Sequence, residues 1–260
     1  MNESPAVSRA RVMTYNVHGF IGTDSVFDPE RIARVIDQGE PDLVALQEVE
    51  LGRNGADRRA LFEWFGSRLG MQCHFTATRR GFRGGDFGNA VFSRHAFELV
   101  SEAALPRRGG EPRAVQWLKV RAPERDFHLM NVHLSPWFWE RRSQVRALLG
   151  TEWLVRAGTA LPLVVCGDFN MSPVAPVYRR LARSMVDAQQ ARGAVTPTWP
   201  SSYPLLRIDH LFVSRDLAVR SCRVVREGLA PRASDHLPIV AELELSPAEP
   251  RGSAETGGGA

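Results

Sequence analysis

The chain has 260 residues, 43% of them hydrophobic, with a formal charge of +4 at pH 7 and a sequence pI near 9.4. That size buries a full core as one large domain, and the modest basic charge falls well short of a dedicated nucleic-acid-binding stripe. No run of about 18 uncharged apolar residues occurs and residues 1–11 carry no apolar secretion segment, so a soluble cytoplasmic protein is expected. Cys73, Cys166 and Cys222 lie far apart without paired spacing, which indicates neither a disulfide framework nor a zinc site. In chain order, the apolar run Arg11-Val12-Met13-Thr14 ends at Tyr15-Asn16. Asp28-Pro29 then opens a helix over 30–37, with Pro in its first turn and Ile32, Val35 and Ile36 on one face. Pro41-Asp42 turns into a strand that ends at Glu48, and a second helix follows over 60–69. Short strands at 90–92, 97–101, 114–120 and 127–132 precede a third helix over 138–155, whose Val145, Leu148, Leu149, Trp153 and Leu154 repeat at helical spacing. After the run Leu163-Val164-Val165-Cys166 come strands at 211–213, 218–225 and 239–245.

Strands joined partly by hairpins and partly by amphipathic helices imply a layered α/β sandwich of mixed sheets with helices outside. The expected organisation is a short extension over 1–8, one domain over 9–245 and, where Pro, Glu, Ser and Gly dominate, a disordered tail over 246–260.

Polar residues that end buried strands carry the chemistry. Asp168 and Asn170, in Gly167-Asp168-Phe169-Asn170, place two hard oxygen-bearing side chains where an apolar run stops, which suits a divalent cation or an attacking water. Asn16, Glu48 and His133 also end apolar runs, and Ile208-Asp209-His210 and Ser234-Asp235-His236 complete the set. One such Asp ordinarily caps a turn and one such His satisfies a local bond, but six together point to a site.

These segments, with Leu46-Gln47-Glu48-Val49, Gly88-Asn89-Ala90-Val91-Phe92-Ser93-Arg94, Asn131-Val132-His133-Leu134 and Ser234-Asp235-His236-Leu237-Pro238, resemble the endonuclease/exonuclease/phosphatase superfamily in order, from Arg11 to Leu245. The resemblance implies a four-layer αββα sandwich and a metal-dependent phosphoesterase. It implies that Glu48, with Asn16 and Asp235, holds magnesium, for which manganese can substitute. Asp168 orients or deprotonates the attacking water, and Asn170 holds the water and a phosphate oxygen. His236, partnered by Asp209, and His133 face the phosphate. Asn89, Arg113 and Trp137 are assigned to substrate binding, while His18 and His210 are assigned to local structure or to support of the site residues.

The abasic-site repair branch typically carries Asp at the position of His18 and Tyr at that of His133, so the chain departs from it. His133 instead resembles secreted deoxyribonucleases, sphingomyelinases and inositol-polyphosphate phosphatases. The leading expectation is a nuclease-like phosphodiesterase. A phospholipid phosphodiesterase, an inositol-phosphate-type phosphomonoesterase and a noncatalytic phosphate-binding protein are the alternatives. The implied partners are a phosphate ester, either nucleic acid or a phospholipid head group, with no obligate protein partner; a monomer is expected. The basic segments 79–85 and 107–110 are expected as flexible loops, and Trp137-Phe138-Trp139 as a stacking or lipid-facing surface.

Overall fold

The computed structural model describes residues 8–53, 57–158, 161–193 and 195–245. Among these, two six-stranded sheets are built from β1 (Ser8–Asn16), β2 (Leu43–Leu51), β3 (Gln72–Phe82), β4 (Gly85–Ser93), β5 (Phe97–Ala104) and β6 (Ala114–Val120). To these are added β7 (Phe127–His133), β8 (Leu163–Asp168), β9 (Val186–Asp187), β10 (Asp209–Val213), β11 (Ala218–Val224) and β12 (Ile239–Leu245). One sheet has the order β11-β12-β1-β2-β4-β3 and the other β5-β6-β7-β8-β10-β9. Both are mixed, since β1 pairs with β2 and β7 with β8 in parallel while their other neighbours run antiparallel.

Helices α1 (Pro29–Gly39) and α2 (Arg58–Leu69) flank the first sheet and α3 (Phe138–Leu148) the second, giving the four-layer αββα sandwich. Asp28 caps α1 by accepting from the Arg31 N–H at 3.0 Å, with Pro29 in the first turn as expected. Asp57 caps α2 in the same way, and Gly70 closes it in the left-handed conformation. None of the described helices is long and apolar enough to cross a membrane.

Strand alternation sorts the side chains into layers. In the second sheet Leu129, Val164, Leu211 and Val213 join the core shared with Val12, Leu43 and Ala45 of the first. Their neighbours Met130, Val132, Val165 and Phe212 pack instead with Val145 and Leu148 of α3. By this parity Asn131, His133, Asp168 and Asp209 belong to the inner layer, between the sheets.

Two expectations are corrected. The helix expected over 138–155 stops at Leu148, because Gly150 takes an extended backbone (φ −75°, ψ 174°); a π-helical turn, Thr151–Val155, and one more short helical turn follow. The apolar spacing continues across the break, which is why the pattern alone overruns it. Segment 79–85 is not a flexible loop but the tip of the β3–β4 hairpin, in which Phe82 pairs with Gly85. Arg83 and Gly84 make its turn at φ 50° and 83°. The proposed extension and tail lie outside the described residues, apart from Ser8, which begins β1.

Candidate active site

Because β7 and β8 are parallel, their ends lie side by side, and because β10 runs antiparallel to β8, its first residue lies there too. Asp168 is therefore in register with His133 on one side and Asp209 on the other. The Gly167 that precedes Asp168 has φ 147°, and a Cβ there would lie 1.8 Å from the Val132 carbonyl oxygen, so β8 reaches β7 this closely only with glycine.

The first sheet contributes Asn16 from the end of β1 and Glu48 from β2. Alternation would send Glu48 to the face opposite Gln47, toward the helices. A bulge between Leu46 and Val49 interrupts the β2–β4 register at this point, and Glu48 sits at φ 58°, a left-handed backbone that re-aims its side chain. Asn170 has the same kind of backbone, at φ 50°. Its N–H donates to Asp168 Oδ1 at 2.8 Å and its Nδ2 to the Leu134 carbonyl at 2.9 Å.

Glu48, His133 and Asp168 offer ligand atoms that all lie within 4.8 Å of one another, and Asp168, Asp209 and His236 form a second such group. Asn16 ties the sheets together: its Nδ2 donates to Glu48 Oε1 and to Asp168 Oδ2, both at 3.0 Å, while its Oδ1 accepts from the His18 N–H at 3.0 Å. The amide bridges the carboxylates through its NH₂ group. Two carboxylates and an amide are hard donors that fit a magnesium-like cation, and Glu48, about a quarter exposed, leaves the group open to solvent.

His236 Nδ1 lies 2.9 Å from Asp209 Oδ2, and Asp209 also accepts from Thr198 Oγ1 at 2.5 Å. Burial favours the neutral imidazole, but Asp209, then Asp168 and Asp235, reverse this and raise the His236 pKa to about 10. Burial raises the Asp209 carboxyl as well, so the proton between them belongs to the pair. For Asp168, burial again acts to raise the pKa. The His133 and His236 rings at 3.3 and 3.9 Å and the Asn170 N–H outweigh it, holding the carboxyl below its ordinary range.

The remaining expected residues are placed less uniformly. Asp235 stands outside both groups: its Oδ2 accepts from Trp199 Nε1 at 3.2 Å and its Oδ1 is 3.5 Å from His18 Nδ1. Arg113 is buried with Nη1 2.9 Å from His133 Nδ1. Asn89 is buried, and its Nδ2 donates to the Ala114 carbonyl of the other sheet at 3.2 Å. Trp137 is 68% exposed at the start of α3. It borders a groove of ≈ 430 Å³ with Arg108, Gly109, Gly110, Trp139 and Glu140. Glu140 closes that wall by accepting from the Arg108 and Gly110 N–H groups at 2.6 and 2.8 Å. His210 is buried against the Met171 carbonyl at 2.7 Å, bracing the loop that carries Asn170.

Sequence reasoning missed Thr198 and Trp199, which hold Asp209 and Asp235 from a loop with no strand to announce it. Ser234, beside Asp235 and His236, donates its hydroxyl to the Asn16 carbonyl at 2.8 Å while accepting from the His236 N–H at 3.2 Å. Gln47 Nε2 donates to Asn131 Oδ1 at 2.8 Å, joining the two sheets in the core beneath the site.

The profile of the Endonuclease/Exonuclease/phosphatase family matches residues 13–236. An uncharacterized Escherichia coli (strain K12) protein, YbhP, is 26% identical over 253 residues, covering 90% of this chain and 96% of its own. The solved endonuclease/exonuclease/phosphatase structure from Beutenbergia cavernae DSM 12333 superposes with a TM-score of 0.77 at 27% identity, over 92% of this chain and 72% of that one. The human Nocturnin catalytic domain with a bound sulfate anion gives 0.67 at 27% identity, over 90% and 94%.

Proposed function

The chain belongs to the endonuclease/exonuclease/phosphatase family, whose members are hydrolases acting on phosphoric esters, and from that premise we propose that it is a magnesium-dependent phosphodiesterase of nuclease-like type. The observation that carries this reading is the meeting of Asn16 and Glu48 from one sheet with Asp168, beside His133, from the other, within 4.8 Å for the three titratable groups. Residues 9–245 would form the catalytic unit.

Glu48 would hold the cation, with Asn16 and Asp168 alongside and Asp235 at the margin, and the bound cation would supply charge neutralisation at a phosphoryl oxygen. Asp168, kept ionised, is a weak base, so its part is to accept a water O–H and aim the lone pair at phosphorus. Asn170 Nδ2 stands 3.4 Å from His133 Nε2, where it would steady that water or a phosphate oxygen. His236, protonated at neutral pH against Asp209, would donate from Nε2 to the oxygens on which charge builds. The sulfate in the Nocturnin structure is a tetrahedral oxyanion of the shape this arrangement would take.

The exposed Trp137 and Trp139 beside the groove favour a second reading, a phospholipid phosphodiesterase. Hydrolysis of bis(p-nitrophenyl) phosphate with magnesium, or with manganese in its place, tests the chemistry, and p-nitrophenyl phosphate separates a monoesterase. Glu48→Gln and His236→Ala are each expected to lower the rate at least about 10²-fold; smaller effects would count against these roles. Plasmid DNA, single-stranded nucleic acid, sphingomyelin and inositol phosphates assayed side by side then separate the substrate classes.

A further inference from the structure

The two imidazoles of the site are held by groups of opposite kind. His236 Nδ1 faces the Asp209 carboxylate, an acceptor. His133 Nδ1 faces the Arg113 guanidinium at 2.9 Å, and a guanidinium keeps its proton and has only donors. Both side chains are buried, at 7% and 2% exposure, and Arg113 Nη2 is steadied 3.3 Å from Glu111 Oε2.

A ring nitrogen that meets only N–H groups must present its lone pair. The neutral imidazole then carries its single proton on the other nitrogen. For His133 that nitrogen, Nε2, lies 3.3 Å from Asp168 Oδ2 and 3.8 Å from Glu48 Oε1, two acceptors that suit an N–H, while the amide Nδ2 of Asn170, 3.4 Å away, makes its shorter bond, 2.9 Å, to the Leu134 carbonyl. A proton on Nδ1 would instead set N–H against N–H inside the protein, leaving both unsatisfied.

We propose that Arg113 is a positioning residue that fixes His133 as the neutral Nε2–H tautomer. The ring thereby becomes a hydrogen-bond donor to a phosphoryl oxygen and is removed from the donor set of the bound cation. Geometry alone would admit His133 as a third ligand with Glu48 and Asp168; a protonated Nε2 has no lone pair to give. The cation site is then an all-oxygen one, which favours magnesium and manganese over zinc. The donor role toward phosphate rests on the phosphodiesterase reading, whereas the tautomer does not.

The test is the long-range ¹H–¹⁵N spectrum of the ¹⁵N-histidine-labelled full chain at pH 8, without metal and then with magnesium, with His133 assigned by its loss in His133→Asn. His133 is expected to show an unprotonated Nδ1 and a protonated Nε2, unchanged by magnesium. Arg113→Met, which removes the donors, is expected to give tautomer-averaged signals and at least about a tenfold lower kcat. Arg113→Lys keeps a charge and a donor and should retain the Nε2–H form. A proton on Nδ1 of the wild-type ring, or an Nε2 that loses its proton when magnesium binds, overturns the proposal without any need for a folded variant. An Nε2–H ring in a protein that hydrolyses no phosphate ester sinks the functional reading and leaves the tautomer standing.

Discussion

His236 Nδ1 and Asp209 Oδ2 meet at 2.9 Å with both side chains less than a tenth exposed. Such a contact makes the protonation of His236 a structural event. Its folded pKa, about 10, stands above the ordinary 6.5, so protonation contributes stability that is fully present below pH 6.5 and is lost as pH rises through 10. In metal-free protein the His236 ring signals are expected to titrate near the upper value. Asp209→Asn should bring the midpoint down toward the ordinary range and cost about 10²-fold in activity. A wild-type midpoint near 6.5 would remove the basis for an imidazolium at neutral pH.

Asn16 donates from one amide nitrogen to Glu48 and Asp168 together, at 3.0 Å each. Removing it in Asn16→Ala leaves two neighbouring carboxylates short of a donor and is expected to cost about 1–3 kcal/mol in EDTA. Magnesium should raise the melting temperature of the wild type, because a ligand that binds only the folded state stabilises it by mass action. Thermal unfolding with and without the cation measures both effects. A melting temperature indifferent to magnesium and manganese would contradict a cation site here.

A second buried charge pair lies away from the site. Asp187 accepts from Arg207 Nη2, from Tyr178 Oη at 2.8 Å and from the Gln189 N–H at 3.0 Å. Burial acts to raise its pKa, but His210, at 3.6 Å, and Arg207 reverse this and hold it well below the carboxylate range. A depressed pKa contributes stability present above the unfolded value of 3.8 and lost as pH falls through the folded one. Asp187→Asn strands the Arg207 charge and is expected to destabilise by about 3–5 kcal/mol at neutral pH. Denaturant titrations should show the gap from wild type constant between about pH 6 and 8 and narrowing below about pH 4. A gap that does not narrow in acid would mean the pair is not what is lost.

Gly167→Ala should be among the most damaging single-methyl changes in the chain. The added Cβ meets backbone, not a movable side chain, 1.8 Å from the Val132 oxygen, and the φ of 147° is unfavourable for alanine. The variant is expected to lose at least about 3 kcal/mol of stability and its activity with it, since Asp168 is the next residue. Near-wild-type unfolding would mean β7 and β8 can separate at this edge.

Asp168 and His133 could be found in the sequence because each ends an apolar run, and alternation then puts them in the inner layer. Glu48 was legible as the polar close of an apolar run, but it does not end its strand: β2 continues to Leu51, and the residue's aim depends on a bulge and a left-handed backbone that no periodicity encodes. β3 escaped notice because it is an edge strand whose His74, Thr76, Arg79 and Arg80 break the apolar pattern. Thr198, Arg207 and Asp187 act through tertiary contacts across 11 and 20 residues, which local pattern cannot pair. Asp209, by contrast, was legible only with His236, because an Asp at a strand start is by itself an ordinary turn residue.

Asn16 and Glu48 ride on one sheet, Asp168 and His133 on the other, so the site is a gap between two jaws and not a pocket in one wall. Its alignment is guarded by core contacts such as Gln47 to Asn131, which a slight sliding of the jaws would break while every strand kept its own ladder. Catalysis is thereby made the most sensitive gauge of how the halves are seated. It should fade at denaturant concentrations at which the circular dichroism of the strands is still intact.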